Sequence, residues 1–181
     1  YNSPLSGFLS EDSTPINNHP YAKGKSTAET LFLNERNNKS VEIIILRLSN
    51  IYGKPSSINS VDWKLLFNDI CYQMIINKSV KLNSTGEQQI NFFPINQLCR
   101  IVKFFVDEKK VNETIYNIGS PKSYKVKDFS KYVIERYEKL VGYKVPLITS
   151  KKFKEIRRFS LNVKRLQSLN IDIALNHQFE I

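Results

Sequence analysis

The sequence predicts an α/β fold, and three observations carry that expectation. Several separate segments repeat apolar residues at helical spacing. One continuous β-branched run, "VEIIILRLSNIYG" at 41–53, reads as a strand covered on both faces, as in a parallel sheet. The two patterns alternate along the chain, as helices and strands do in this class. With 181 residues, 41% of them apolar, the chain is long enough for one sizeable core.

In chain order, the opening twenty residues are rich in Ser, Pro and Asn and read as loop. Asn18 or His19 is placed to cap a helix that has Pro20 in its first turn, where the missing N–H costs nothing. That helix is expected over 21–36, ending in the polar "NNKS". The buried strand follows, then a "GKPSSIN" loop. A second helix is expected over 61–78, with Trp63, Leu66, Phe67, Ile70 and Met74 as its apolar residues. A short strand "SVKLNS", a turn at Thr85–Gly86 and the run "QQINFFPI" come next. "NQLCRIVKFFVDEK" has helical spacing through Leu98, Ile101, Val102 and Phe105, and "ETIYNIG" reads as a strand. "VKDFSKYVIERYEKLVG" places Val126, Phe129, Val133 and Tyr137 on one helical stripe with Gly142 as its stop. The tail holds "PLITS", a basic segment and a short helix in "LNVKRLQSL". Parallel-strand patterns are fewer than a complete doubly wound sheet requires.

Composition narrows the function classes. No apolar run approaches the roughly 20 residues a membrane helix needs. The opening segment lacks the basic start and apolar core of a signal peptide. Cys71 and Cys99 could pair, but they are expected to be buried free thiols, which agrees with a cytoplasmic location. The net charge of +10 suits an anionic partner, but the lysines are scattered and only "SKKFKEIRR" at 150–158 concentrates them. No zinc-finger or aromatic–basic signature accompanies the charge, so no nucleic-acid partner is expected.

The chemistry concentrates in "HPYAKGK" at 19–25. Residues four apart share a helix face, which puts Tyr21 and Lys25 at one site. Free tyrosine, with a pKa of roughly 10, is a poor base at neutral pH. An adjacent ammonium favours the phenolate. A tyrosine tuned in this way can take a proton from a sugar hydroxyl or return one to a ketone. Alone, the pair is also what an ordinary amphipathic helix would show.

Four ordered segments make the pattern specific. "YNSPLSGFLSEDSTPINNHPYAKGKSTAE" contains the Tyr-x-x-x-Lys helix behind an acidic loop, and "ILRLSNIYGKP" keeps Arg47, Asn50, Tyr52 and Gly53. "YNIGSPKSYKVKDFSKYV" is a strand, glycine turn and helix, and "LNVKRLQSLNI" is a closing segment. Together they resemble the extended short-chain dehydrogenase/reductase family, the NAD-dependent sugar-nucleotide epimerases and dehydratases. The resemblance implies the C-terminal part of a Rossmann-like doubly wound sheet plus a small α/β substrate-binding domain. Residues 1–55 would be the last part of the Rossmann-like domain, and 56–181 mostly the substrate-binding domain, with about 91–120 returning to the first.

It implies Tyr21 as catalytic base and Lys25 as its electrostatic partner, both touching an NAD or NADP cofactor. It also implies Asn50 as a substrate-binding position, with Arg157 and Arg158 near a phosphate-binding arginine. Arg47 is expected to brace neighbouring structure. A homodimer through the Tyr-bearing helix is a further expectation.

Three departures stand against the pattern. There is no Gly-x-x-Gly-x-x-Gly loop, and the six glycines are dispersed, so the chain reads as a piece lacking the main cofactor-binding half. In the segment "INFFPINQ" the family's arginine becomes Ile90, and its carboxylates become Asn91, Asn96 and Gln97. These changes put a phosphate contact and a hydrogen-bonded loop anchor in question. The closing Leu-Gly turn is Leu169–Asn170, and asparagine tolerates the left-handed conformation. The expected function is an NAD(P)-dependent epimerase or dehydratase acting on a nucleotide sugar. The alternatives are a non-catalytic relative or binding module and, behind it, a basic nucleic-acid-binding domain.

Overall fold

A computed structural model describes residues 6–16, 18–36, 41–107, 111–151 and 158–172. The chain runs β1 (Gly7–Leu9), α1 (Pro20–Glu35), β2 (Ile45–Leu48), β3 (Asn50–Tyr52), a 3-10 turn at Ile58–Ser60 and α2 (Leu66–Ile76). It continues through β4 (Val80–Leu82), β5 (Gln89–Ile90), β6 (Phe92–Pro94), α3 (Ile95–Asp107) and β7 (Ile115–Ile118). Last come β8 (Tyr124–Lys125), α4 (Val126–Val141), β9 (Leu147–Thr149), β10 (Phe159–Leu161) and α5 (Lys164–Gln167). The α/β expectation holds: β2 with β7, β3 with β6, β1 with β10 and β4 with β9 are parallel pairs. β5 and β8 pair antiparallel.

The long apolar strand is the main correction. It is two short strands that change partner at Ser49, whose N–H still bonds Ile118, whereas the next N–H, of Asn50, bonds Asn91. Nor is it buried on both faces. Residues 43–47 are half-buried and Leu48 is exposed.

β6 explains why both halves of that strand have a core beneath them. Side chains alternate across a strand. Phe92 therefore enters one apolar cluster with Tyr52, Ile70, Val80, Phe129 and Val133, and Phe93 enters another with Ile101, Tyr116, Ile118 and Leu166. In the first cluster the rings of Phe92 and Phe129 stack with centroids 3.6 Å apart, and Tyr52 meets both edge-on. Such ring pairs add to the burial of their area.

Helix limits follow local chemistry. His19 caps α1, its Nδ1 accepting from the Tyr21 N–H at 3.3 Å. α4 stops at Gly142, which has a φ of 75° and donates to Glu138. α2 starts later than its apolar spacing predicts. The Asp62 carboxylate accepts from the Lys64 N–H at 2.9 Å, and its carbonyl accepts from the Asn68 amide, also at 2.9 Å. This side-chain turn competes with helix and delays its start. Trp63 is thereby left outside the helix, against Tyr72.

The opening loop expectation misses β1. Its pairing with β10 forms a third cluster of Leu9, Phe159, Leu161 and Val163. Asn170 adopts the left-handed φ of 50° that its position calls for. Both cysteines are free, but only Cys71 is even half-buried. Cys99 is exposed, because the inward side of α3 is taken by Gln97 and Ile101. Among the described residues no helix is long and apolar enough to cross a membrane.

Two predictions follow. A β-carbon on Gly119 would lie 2.6 Å from both Asn91 Oδ1 and Leu161 Cδ2. Gly119→Ala is therefore expected to destabilise the chain by about 1–3 kcal/mol, read as a lower urea midpoint. The second concerns Glu87, which bonds the ammonium groups of Lys125 and Lys127. These bonds hold its carboxyl at about 2, below the ordinary 4.5. The folded value lies below the unfolded one, so this stabilisation is complete above about pH 4.5 and fades as pH falls towards 2. Glu87→Gln should flatten the acid limb of a melting-temperature profile over that interval.

Candidate functional site

α1 presents Tyr21 and Lys25 on one face, as their spacing requires. Tyr21 is 70% exposed, and the Lys25 Nζ stands over its ring, 5.6 Å from the centroid. The phenol is thus open to a ligand, with the ammonium beside its ring.

No side chain of α1 is buried, so core packing does not fix this face. A polar clamp does. Arg47 on β2 makes a fork on Glu29, with Nε to Oε2 at 3.0 Å and Nη2 to Oε1 at 2.5 Å. Its Nη1 donates to the Glu11 carbonyl at 2.8 Å. Both side chains of the ion pair are largely shielded, at 14% and 16% exposure, where a bidentate pair gains strength and geometric definition. Arg47 braces structure, as expected. The Glu11 carboxylate in turn accepts from the Asn117 N–H of β7 at 2.9 Å. The acidic loop before α1 is therefore tied to the strand pair behind it.

Asn50 opens β3, and its amide donates to the Asn91 carbonyl at 3.0 Å. It lines a cavity of about 260 Å³ with Tyr52, Leu65, Leu66, Asn68 and Phe92. The first turn of α2 is part of that wall. The opening N–H groups of a helix lack intrahelical acceptors and favour anions. This feature was missed in the sequence because the apolar spacing places the helix start upstream of Leu66. Tyr21 and Lys25 do not line this cavity.

The loop anchor questioned from the sequence is intact. Asn91 is buried, its Oδ1 accepting from the Ser120 N–H at 2.9 Å and its Nδ2 donating to the Ser120 carbonyl at 2.8 Å. A carboxamide can do both at once, which an ionised carboxylate cannot. Ile90 supplies no cation and packs on the first core cluster. Asn96 Oδ1 accepts from the Gln97 N–H at the start of α3, and Gln97 is buried. Arg157 lies outside the described residues. Arg158 is exposed, and its carbonyl accepts from the Gly7 N–H at 3.0 Å.

A family model described as the NAD dependent epimerase/dehydratase family matches residues 4–119. Among solved structures, a UDP-N-acetylglucosamine 4-epimerase from Methanobrevibacter ruminantium M1, in complex with UDP-N-acetylmuramic acid, is similar over 93% of this chain and 52% of its own, with a TM-score of 0.75 and 13% identity. A UDP-glucuronic acid 4-epimerase from Bacillus cereus in complex with NAD matches 96% of this chain and 53% of its own. Its TM-score is 0.71 and its identity 22%. A dTDP-glucose 4,6-dehydratase from Bacillus anthracis str. Ames, also in complex with NAD, matches 90% and 49%, with a TM-score of 0.68 and 19% identity. The chain therefore spans about half the length of these structures, and the likeness establishes the Rossmann-like α/β fold.

Removing the clamp tests how the Tyr21 face is held. Arg47→Ala is expected to cost about 2 kcal/mol, since it leaves Glu29 shielded and unpaired. It should raise amide hydrogen exchange across α1 more than across α4. Equal change in both helices would assign the clamp a global role. Asn91→Asp should destabilise the chain at neutral pH, because the Ser120 carbonyl then faces an acceptor. The deficit should shrink as acid protonates the new carboxyl and restores a donor, read from urea midpoints across pH.

Proposed function

The chain belongs to the NAD dependent epimerase/dehydratase family, and from that premise we propose that it carries the acid–base half of an NAD(P)-dependent epimerase or dehydratase acting on a nucleotide sugar. The observation that carries this reading is the open Tyr21 ring with the Lys25 ammonium 5.6 Å from its centre. The cofactor's nicotinamide end fits here: an exposed phenol and an ammonium 5.6 Å from its ring centre share one helix face. Its pyrophosphate end finds no glycine cradle, since the six glycines stand at 7, 24, 53, 86, 119 and 142. The cradle would lie on polypeptide outside these 181 residues.

A nicotinamide held beside Tyr21 and Lys25 would supply hydride acceptance and return at the sugar carbon. Tyr21 takes the proton of the adjoining hydroxyl as the carbonyl forms and gives it back when the alcohol is restored. Lys25 places a cation over the phenol ring and offers hydrogen bonds to a ribose. Asn50 and the first turn of α2 are placed for the diphosphate and sugar oxygens, a carboxamide and helix N–H groups being suited to an anion. The UDP- and dTDP-linked sugars named for the similar enzymes support this substrate class.

In this reading residues 1–55, with about 91–120, form one lobe, and the remainder of 56–181 forms the substrate-facing one. The pairing of β2 with β7 supports the return of the chain. The completing half would add a strand beside β2. Among the described strands β2 bonds only β7. A cavity of about 460 Å³ lined by Phe32, Glu35 and residues 41–45 borders it, and Phe32 and Val41 of its lining are exposed.

In an enzyme assembled with that half, Tyr21→Phe should lower turnover by about 10²- to 10⁴-fold while nucleotide-sugar binding and circular dichroism stay unchanged. Full turnover by this variant would remove Tyr21 from the mechanism. The isolated chain should show negligible NAD binding in a calorimeter. Micromolar affinity would contradict the divided site.

A further inference from the structure

A second tyrosine–lysine arrangement lies outside the site described above, where the turn after α2 meets the turn after α4. Lys78 has a left-handed φ of 53°, uncommon for a residue with a side chain and a sign that the turn dictates its course. Its Nζ stands 5.5 Å from the ring centre of Tyr143. The Tyr143 hydroxyl is 3.1 Å from that of Tyr137, and the two rings meet edge-to-face at 6.2 Å. The neighbouring acid, Glu138, is engaged by the Lys144 ammonium at 2.8 Å and the Val145 N–H at 2.7 Å. Tyr143 therefore faces a cation and a hydroxyl donor.

We propose that Tyr143 is a nucleophilic phenol and a modification site, taking small sulfonyl or acyl electrophiles at its oxygen ahead of more exposed tyrosines. A phenolate at Tyr143 accepts from the Tyr137 O–H across the 3.1 Å contact, and the Lys78 ammonium over its ring supplies the opposite charge. Hydrogen bonding, from Tyr137 first and Lys78 second, holds the Tyr143 phenol below its usual range. The bond to Tyr143 pushes Tyr137 up, which keeps it a donor, and the same partner pushes Lys78 up, which keeps it charged. With an aryl sulfonyl fluoride the balance is simple. Tyr143 loses its proton to water, its oxygen attacks sulfur, the S–O bond forms, the S–F bond breaks, and fluoride leaves.

The test treats the 181-residue chain with a limiting amount of a neutral aryl sulfonyl fluoride near neutral pH and maps the adducts by tandem mass spectrometry over time. Tyr143, at 38% exposure, should label faster than Tyr21 at 70% and Tyr72 at 44%. Lys78→Asn keeps a residue that tolerates the left-handed turn. It should slow labelling of Tyr143 by about tenfold, the phenolate fraction one pKa unit represents, with Tyr21 unchanged. Rates that rank by exposure, with Tyr21 first, would overturn the proposal. So would Tyr143 labelling that is indifferent to Lys78→Asn in a variant with native circular dichroism. Should that variant not fold, Tyr137→Phe removes only the donor hydroxyl and is read by the same rate.

Discussion

One buried carboxamide holds the point on which this structure turns. Where the central strand leaves β7 for β6, three backbone segments come together at residues 49–50, 91 and 119–120, and Asn91 bonds two of them. Its backbone carbonyl accepts from both the N–H and the side-chain amide of Asn50, and its side chain satisfies both backbone polar groups of Ser120. A strand that changes partner exposes backbone groups that a continuous sheet would pair, and buried groups of that kind must be met. Gly119 passes so close to Asn91 that no side chain fits. The geometry of Asn50, and with it the cavity at the start of α2, is inherited from this junction.

The Tyr21 face depends on a different kind of constraint. Because no residue of α1 is fully buried, hydrophobic packing among the described residues contributes little to its orientation, and the Arg47–Glu29 fork ties it to β2. Arg47 reaches from β2, and Asn50 opens β3 directly after it. The helix bearing the phenol and the residue proposed to meet the substrate are thus referred to two consecutive strands, one through a guanidinium and the other through the backbone.

Much of this was legible in the sequence, for identifiable reasons. α4 declared itself because its apolar stripe is regular and Gly142 supplies the stop, and Pro20 behind His19 marked the start of α1. Tyr21 and Lys25 were legible because helical spacing alone puts them together. β1 and β10 were not, since three-residue strands carry too little alternation to be read, and they form only by meeting across the whole chain. The switch at Ser49 was hidden as well. Nothing in "LRLSNIY" differs from an ordinary strand, and the cause lies forty residues on, in Asn91. Reading Asn91 as the loss of a carboxylate anchor missed that a carboxamide satisfies the donor and the acceptor of one peptide unit.

The place of β6 has a thermodynamic consequence. Phe92 and Phe93 are adjacent in the chain yet fill different cores, so neither core can be dismantled without withdrawing a ring from the other. Two lobes that share a strand in this way melt as one cooperative unit rather than in sequence. Substitutions on opposite sides of β6 then lower one shared stability, and pairs without a common neighbour add. The two apolar cores are in that sense a single thermodynamic object.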